Sequence, residues 1–147
     1  MKKIKLGIIG IGNMGSTHIK NIYEGKCPEI EVTAVADIDP KRLEWAKAQD
    51  FGKSIAYFDN AIDMLDSGLI DSCLVAVPHY DHAPLAIEAM KRSIHVMVEK
   101  PAGVYTKQVR EMNEVAKECN VKFGMMFNQR TQNVYRKLRE IVQSGVY

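Results

Sequence analysis

Three glycines spaced Gly10-x-Gly12-x-x-Gly15 follow the apolar run Ile4-Lys5-Leu6-Gly7-Ile8-Ile9 and precede a segment with helical spacing of apolar residues. A strand that ends this way must turn sharply, and a helix must begin at once. Gly10 permits the tight turn, Gly12 leaves the backbone open to a ligand, and Gly15 lets the helix pack near the sheet. The start of such a helix offers unpaired N–H groups and about half a unit of positive charge, a setting that suits a diphosphate. A second apolar run over residues 30–36 closes on Asp37. It lies about twenty residues past the last glycine, where a carboxylate accepts hydrogen bonds from a ribose diol. Strand, glycine turn, helix, strand and acid together predict a dinucleotide-binding unit. Asn13 and Met14, inside the glycine turn, and Ile38, beside the acid, belong to the same predicted site.

The rest of the chain repeats the alternation of strand and helix. Ile19, Ile22 and Tyr23 mark the first helix, ended by Gly25 and Pro28; Asp39-Pro40 opens a second, with Leu43 and Ala46 inward. A short strand is expected at 54–57, followed by a small helix capped by Asp59 with Ile62 and Leu65 inward. Residues 72–77 are nearly all apolar, as befits a parallel strand covered on both faces. A helix with Ala83, Ile87 and Met90 inward comes next, then a strand over 95–98. The pattern closes with a helix from about Thr106, a strand over 121–127 and a final helix carrying Val134, Leu138 and Ile141. The expected fold class is α/β: a doubly wound parallel Rossmann sheet of six strands in order 3-2-1-4-5-6, forming one domain over residues 1–147.

Composition excludes several function classes. Of the 147 residues, 46% are hydrophobic and 26% charged, ordinary values for a globular chain, and the net charge of +2 comes with no basic run. Neither nucleic acid nor a membrane surface is an expected partner. No apolar run approaches the ~18 residues of a membrane span. The Met1-Lys2-Lys3 start lacks the long apolar stretch and small-residue cleavage site of a leader. Three cysteines, Cys27, Cys73 and Cys119, form no paired motif, so a reducing cytoplasm is expected. His79 and His82 have no evident further partner for a metal, and none is expected.

Ligands of doubly wound sheets bind outside the carboxyl ends of the strands. There the sequence places Gly10, Asp37, Val77-Pro78-His79, Glu99-Lys100-Pro101 and Asn128-Gln129-Arg130. Taken together, Gly10-Ile11-Gly12-Asn13-Met14-Gly15, Val77-Pro78-His79-Tyr80-Asp81-His82 and Val98-Glu99-Lys100-Pro101 resemble the N-terminal domain of the Gfo/Idh/MocA (glucose–fructose oxidoreductase, inositol dehydrogenase, rhizopine catabolism) dehydrogenases. Phe127-Asn128-Gln129-Arg130 is similar to the family's segment entering a second domain. The resemblance implies hydride transfer between NAD(P) and a secondary alcohol of a sugar, cyclitol or related small molecule. It puts Lys100 near the nicotinamide and the substrate hydroxyl, where an ammonium stabilises a developing alkoxide. Glu99 would orient Lys100 or meet the nicotinamide ribose, His79 would line the nicotinamide pocket, and Lys100-Pro101 would be cis. His18, His82 and His95 are expected to be structural.

Asp37 favours NAD over NADP, because a carboxylate repels a 2′-phosphate. Family members continue into a second α/β domain that carries an acid and a histidine for proton transfer and usually the oligomer interface. This chain ends one helix past the sixth strand, so the expectation is a cofactor-binding portion, inactive by itself, whose polyol or sugar substrate and oligomer belong to a longer form. The alternatives are a stand-alone NAD-binding sensor or regulatory module and, against the Glu-Lys-Pro signal, a methyltransferase.

Overall fold

The computed structural model describes residues 3–49, 51 and 55–146. In chain order these form β1 (Ile4–Ile9), α1 (Asn13–Tyr23), β2 (Ile30–Ala36), α2 (Pro40–Ala48), β3 (Ala56–Phe58) and α3 (Ala61–Asp66). Then come β4 (Ser72–Val75), α4 (His82–Lys91), β5 (His95–Val98), α5 (Thr106–Glu118), β6 (Phe123–Met125) and α6 (Asn133–Ser144). Short 3-10 turns at His79–Asp81 and Asn128–Thr131 precede α4 and α6. The strands pair in parallel in the order β3-β2-β1-β4-β5-β6, as the alternating pattern predicts.

Side chains of the central strands alternate between two cores. Leu6, Ile8, Val32, Val35 and Leu74 pack with Ile19 of α1 and with Leu43 and Ala46 of α2. Ile9, Cys73, Val75, Val96 and Val98 point the other way, toward Met64 of α3, Met90 of α4 and Met112 of α5. A strand buried on both faces has no room for polar alternation, which is why β1 and β4 read as near-continuous apolar runs. The cover is incomplete at β5, where Met97 points away from α4 and α5 and stays 38% exposed.

Three boundaries differ from the sequence pattern. β4 stops at Val75: Ala76 still donates its N–H to the Ile9 carbonyl at 2.8 Å, and the chain bends at Val77. β3 is 56–58 rather than 54–57, and Ser54 lies outside the described residues. β6 forms only at 123–125, since its partner β5 offers three positions to it. The cap of α3 is Asn60, not Asp59: the Asn60 Oδ1 accepts the Ile62 N–H at 2.7 Å. Met64 and Leu65 are its buried pair, while Ile62 is half-buried.

α4 is tied to α3 by Arg92, which donates to Asp66 at 2.6 Å and to Glu88 at 2.7 Å. Those hydrogen bonds hold both carboxyls below the usual carboxylate range. α6 carries its Val134, Leu138 and Ile141 stripe on the outside, each more than two-fifths exposed. Among the described residues, no helix is long and apolar enough to cross a membrane.

The cysteines divide by environment. Cys73 is fully buried between β1 and β5, and burial pushes its thiol up to about 12. Cys27 and Cys119 are half-buried. A thiolate is the reactive form, so a thiol reagent at neutral pH should modify Cys27 and Cys119 and spare Cys73 until denaturant is added. Mass spectrometry of the native protein checks this, and early labelling of Cys73 would contradict the packing.

Candidate functional site

The turn from β1 to α1 is built on two steric facts. Gly10 has φ +86°, and a Cβ there would sit 2.7 Å from the Ala76 carbonyl oxygen. Gly15, one turn into the helix, lies so close to Gly10 that a Cβ would run into the Gly10 carbonyl oxygen. At Gly12, in contrast, a Cβ would meet nothing within 4 Å. The space over Gly12 is open, and it lies at the cap of α1, where no side chain bonds the first-turn N–H groups. Asn13 and Met14 extend from that first turn and are exposed.

Asp37 closes β2 opposite this turn. Its Oδ2 accepts the Ile11 N–H at 2.8 Å and its Oδ1 accepts the Asp39 N–H at 2.9 Å. The carboxylate is thereby fixed across the cleft, and each oxygen keeps a lone pair for a further donor. The Ile11 bond ties the acid to the glycine turn itself, a link that motif spacing does not reveal.

A cleft of about 660 Å³ runs from Gly10 and Gly12 past Asp37 to α3 and the end of β4. Its walls include Ile38, Ile62, Val77, Pro78 and Leu85, with Asp39, Arg42, Asp59 and Asn60 supplying polar groups. Ile38 is 90% exposed, an apolar side chain left standing at the cleft edge. Of the residues expected from the sequence, Gly10, Gly12, Asp37, Ile38, Val77 and Pro78 line this cleft together. Asn13 and Met14 adjoin it on α1. His79 and Asn128 are exposed on the two 3-10 turns and are not among its walls. Ile62 and Leu85 were not expected here, because they sit on helices whose periodicity reads simply as helix.

The Glu99-Lys100-Pro101 turn follows β5, and its Lys100-Pro101 peptide is cis. The Lys100 side chain is exposed, whereas Glu99 is buried. The Glu99 Oε1 lies 2.7 Å from Nε2 of His18 on α1, and Oε2 accepts the Lys100 N–H at 3.2 Å. Each Glu99 oxygen thus has one partner within the protein, and the carboxylate is fixed beside Lys100. His82, expected merely to start a helix, is fully buried, with its ring nitrogens 2.7 Å from the Pro101 oxygen and 2.9 Å from the Val77 oxygen. Both nitrogens are occupied by carbonyls, so its edge-on neighbour His79, 5.6 Å away ring to ring, gains no metal-ligating partner. Among the described residues, no group of three His, Cys, Asp or Glu side chains is gathered to hold a metal ion. A second cleft, about 650 Å³, lies between the Asn128–Thr131 turn and α6, lined by Arg130, Arg136 and Arg139 among others, and shares no lining residue with the first.

An uncapped helix start above an open glycine, a fixed acid across from it and an apolar-walled cleft between them are the features a dinucleotide requires. They are what a nicotinamide-dinucleotide-binding Rossmann domain presents at the ends of its strands. Residues 4–127 match the model of the Gfo/Idh/MocA "Oxidoreductase family, NAD-binding Rossmann fold", and the chain belongs to that family.

It is 29% identical over 147 residues to the rhizopine catabolism protein MocA of Rhizobium meliloti, covering 99% of this chain and 44% of that protein. It is 30% identical to inositol 2-dehydrogenase of Rubrobacter xylanophilus, covering 98% of this chain and 41% of that one. Scyllo-inositol dehydrogenase of Lactobacillus casei, solved with NAD(H) and scyllo-inositol, superposes with TM-score 0.88 at 30% identity, over 98% of this chain and 42% of that one. The chain is thus an oxidoreductase NAD-binding domain homologous to inositol dehydrogenases, and it spans less than half the length of these relatives.

Two glycine variants separate fold from binding. Gly12→Ala should leave stability within about 0.5 kcal/mol, since the added methyl meets nothing, yet weaken NADH binding by about tenfold or more, roughly 1.4 kcal/mol. Gly15→Ala should destabilise the domain by about 3 kcal/mol or more through overpacking. Denaturant unfolding and calorimetric titration measure both, and a strongly destabilised Gly12→Ala would contradict the open space above that residue.

Proposed function

We propose that this chain is the cofactor-binding part of an NAD-dependent dehydrogenase that oxidises a secondary alcohol on a cyclitol or related polyol. One observation carries the reading: the glycine turn, Asp37 and the Glu99-Lys100-Pro101 turn all lie at the carboxyl ends of strands of a single parallel sheet, β1 and β2 side by side and β5 beyond β4. The relatives' names, inositol dehydrogenases among them, supply the substrate class.

In this reading the open backbone at Gly12 and the α1 N-terminus hold the diphosphate, with Gly10, Asn13, Met14 and Gly15 shaping that turn. Asp37 accepts hydrogen bonds from the adenosine ribose, and Ile38, Ile62 and Leu85 flank the adenine. Val77, Pro78 and His79 lead from there toward the nicotinamide side, where Asn128 also belongs. NAD, when bound, supplies the hydride acceptor. Lys100 is the catalytic residue of this chain: its ammonium, with no ion-pair partner among the described residues, binds the substrate hydroxyl and stabilises negative charge on that oxygen. Glu99 holds the Lys100 backbone and borders the nicotinamide end of the cofactor.

Since the chain spans less than half of its relatives, the proton acceptor, the substrate wall and any oligomer interface are assigned to a longer form. The described cysteines are free thiols, which supports a reducing, cytoplasmic setting.

The Asp37 assignment fixes cofactor choice and is tested by binding alone. The wild-type chain should prefer NADH to NADPH. Asp37→Ala should lose about tenfold in NADH affinity, around 1.4 kcal/mol, and distinctly less for NADPH. Equal losses for the two cofactors, measured by calorimetry, would refute the ribose contact.

A further inference from the structure

The described residues bury two polar or charged side chains, His82 and Glu99. Both are spent on the same three-residue turn, one on each side of Lys100. Burying a carboxylate is costly unless it is paired, and Glu99 is paired by His18, whose ring reaches over from α1 with Nε2 2.7 Å from Oε1. The second Glu99 oxygen accepts the Lys100 N–H. Beyond Lys100, His82 at the start of α4 takes hold of Pro101: its Nδ1 lies 2.7 Å from the Pro101 oxygen and its Nε2 lies 2.9 Å from the Val77 oxygen.

We propose that His18 and His82 are positioning residues for Lys100, bracketing it through its two chain neighbours. The bracket rests on the reading of Lys100 as the nicotinamide-side lysine. Through His18 the turn is held to the helix whose start receives the diphosphate. Through His82 it is held to the end of β4, where Val77 and Pro78 line the cleft. The exposed ammonium therefore starts from a backbone fixed relative to both ends of the cofactor site, and a lysine tethered at one side alone would lack that definition. Positioned catalytic groups depend on such supporting contacts, and small displacements are expensive in rate.

The test reads Lys100 directly, by NMR of the chain with lysine 13C-labelled at Cε and the Lys100 signal assigned from Lys100→Arg. In the wild-type chain NADH should shift that signal, and ADP-ribose, which lacks the nicotinamide, should leave it nearly unmoved. In His18→Ala the NADH-induced shift should fall to less than about half while ADP-ribose affinity stays within about twofold, the pattern of a contact acting through a neighbour. His18→Gln, which keeps an N–H donor at similar reach, should restore it. Should His18→Ala not fold, His18→Asn, whose shorter amide falls short of Glu99, takes its place. His82→Phe, which fills the same space but makes neither bond, should likewise lower the NADH-induced shift while ADP-ribose affinity stays within about twofold.

A Lys100 signal in wild type that ignores NADH would overturn the reading of Lys100, and the bracket with it. A signal that responds in wild type and equally in His18→Ala would overturn the bracket alone. So would failure of His18→Gln to restore the shift, or an undiminished shift in His82→Phe.

Discussion

The contact between Gly15 and the Gly10 carbonyl is the constraint on which the site depends. Helix α1 can leave β1 at its observed position only because neither residue carries a side chain where backbone meets backbone. Every other element of the cofactor cleft is referred to that junction. Ile11, inside the turn, donates to Asp37 and so sets the far wall; His18, further along the same helix, reaches Glu99 and so sets the other end. A methyl group at Gly15 would push α1 away from the sheet and disturb both links together.

The sheet supplies the rest of the geometry. Because its strands are parallel and its two faces are covered by α1 and α2 on one side and α3, α4 and α5 on the other, all its carboxyl ends open along one edge. Rigid strands deliver the loops, and the loops carry the chemistry. β1 brings the glycines, β2 the acid, β4 Val77 and Pro78, and β5 Glu99 and Lys100. Among the described residues, the two buried polar side chains, Glu99 and His82, both make bonds at that last turn, which marks it as a part of the frame held by polar bonds as well as by packing. The arrangement leaves apolar surface at Met97 of β5 and along α6, on the side of the sheet nearest the end of the described chain.

Much of this was legible from residue order because the signals were local. The glycine spacing, the acid closing β2 and the apolar runs of β1 and β4 each carry their reason within a few residues. Strand order followed from the alternation of elements and the handedness of their crossovers. What escaped was set by partners distant in sequence. His18 lies 81 positions from Glu99, and on a helix its spacing says only that it is half-buried. His82 reads as a first-turn residue until the carbonyls of Val77 and Pro101 are seen around it. Asp59 and Asn60 are equally good caps on paper, and the backbone chose Asn60. The exposed stripe of α6 looks like core in the sequence, since periodicity records amphipathicity but not whether a partner is present.

The central claim is that a nicotinamide dinucleotide lies along the carboxyl edge of this sheet, with its diphosphate on the glycine turn. A backbone-amide NMR titration with NADH tests it most directly. The account predicts shifts concentrated in residues 10–16, 37–42, 60–62, 77–79 and 99–100, with the α6 region from 133 to 144 unmoved. Shifts centred on the arginine-lined cleft beside α6, or an absence of change at the glycine turn when NADH is saturating, would contradict it.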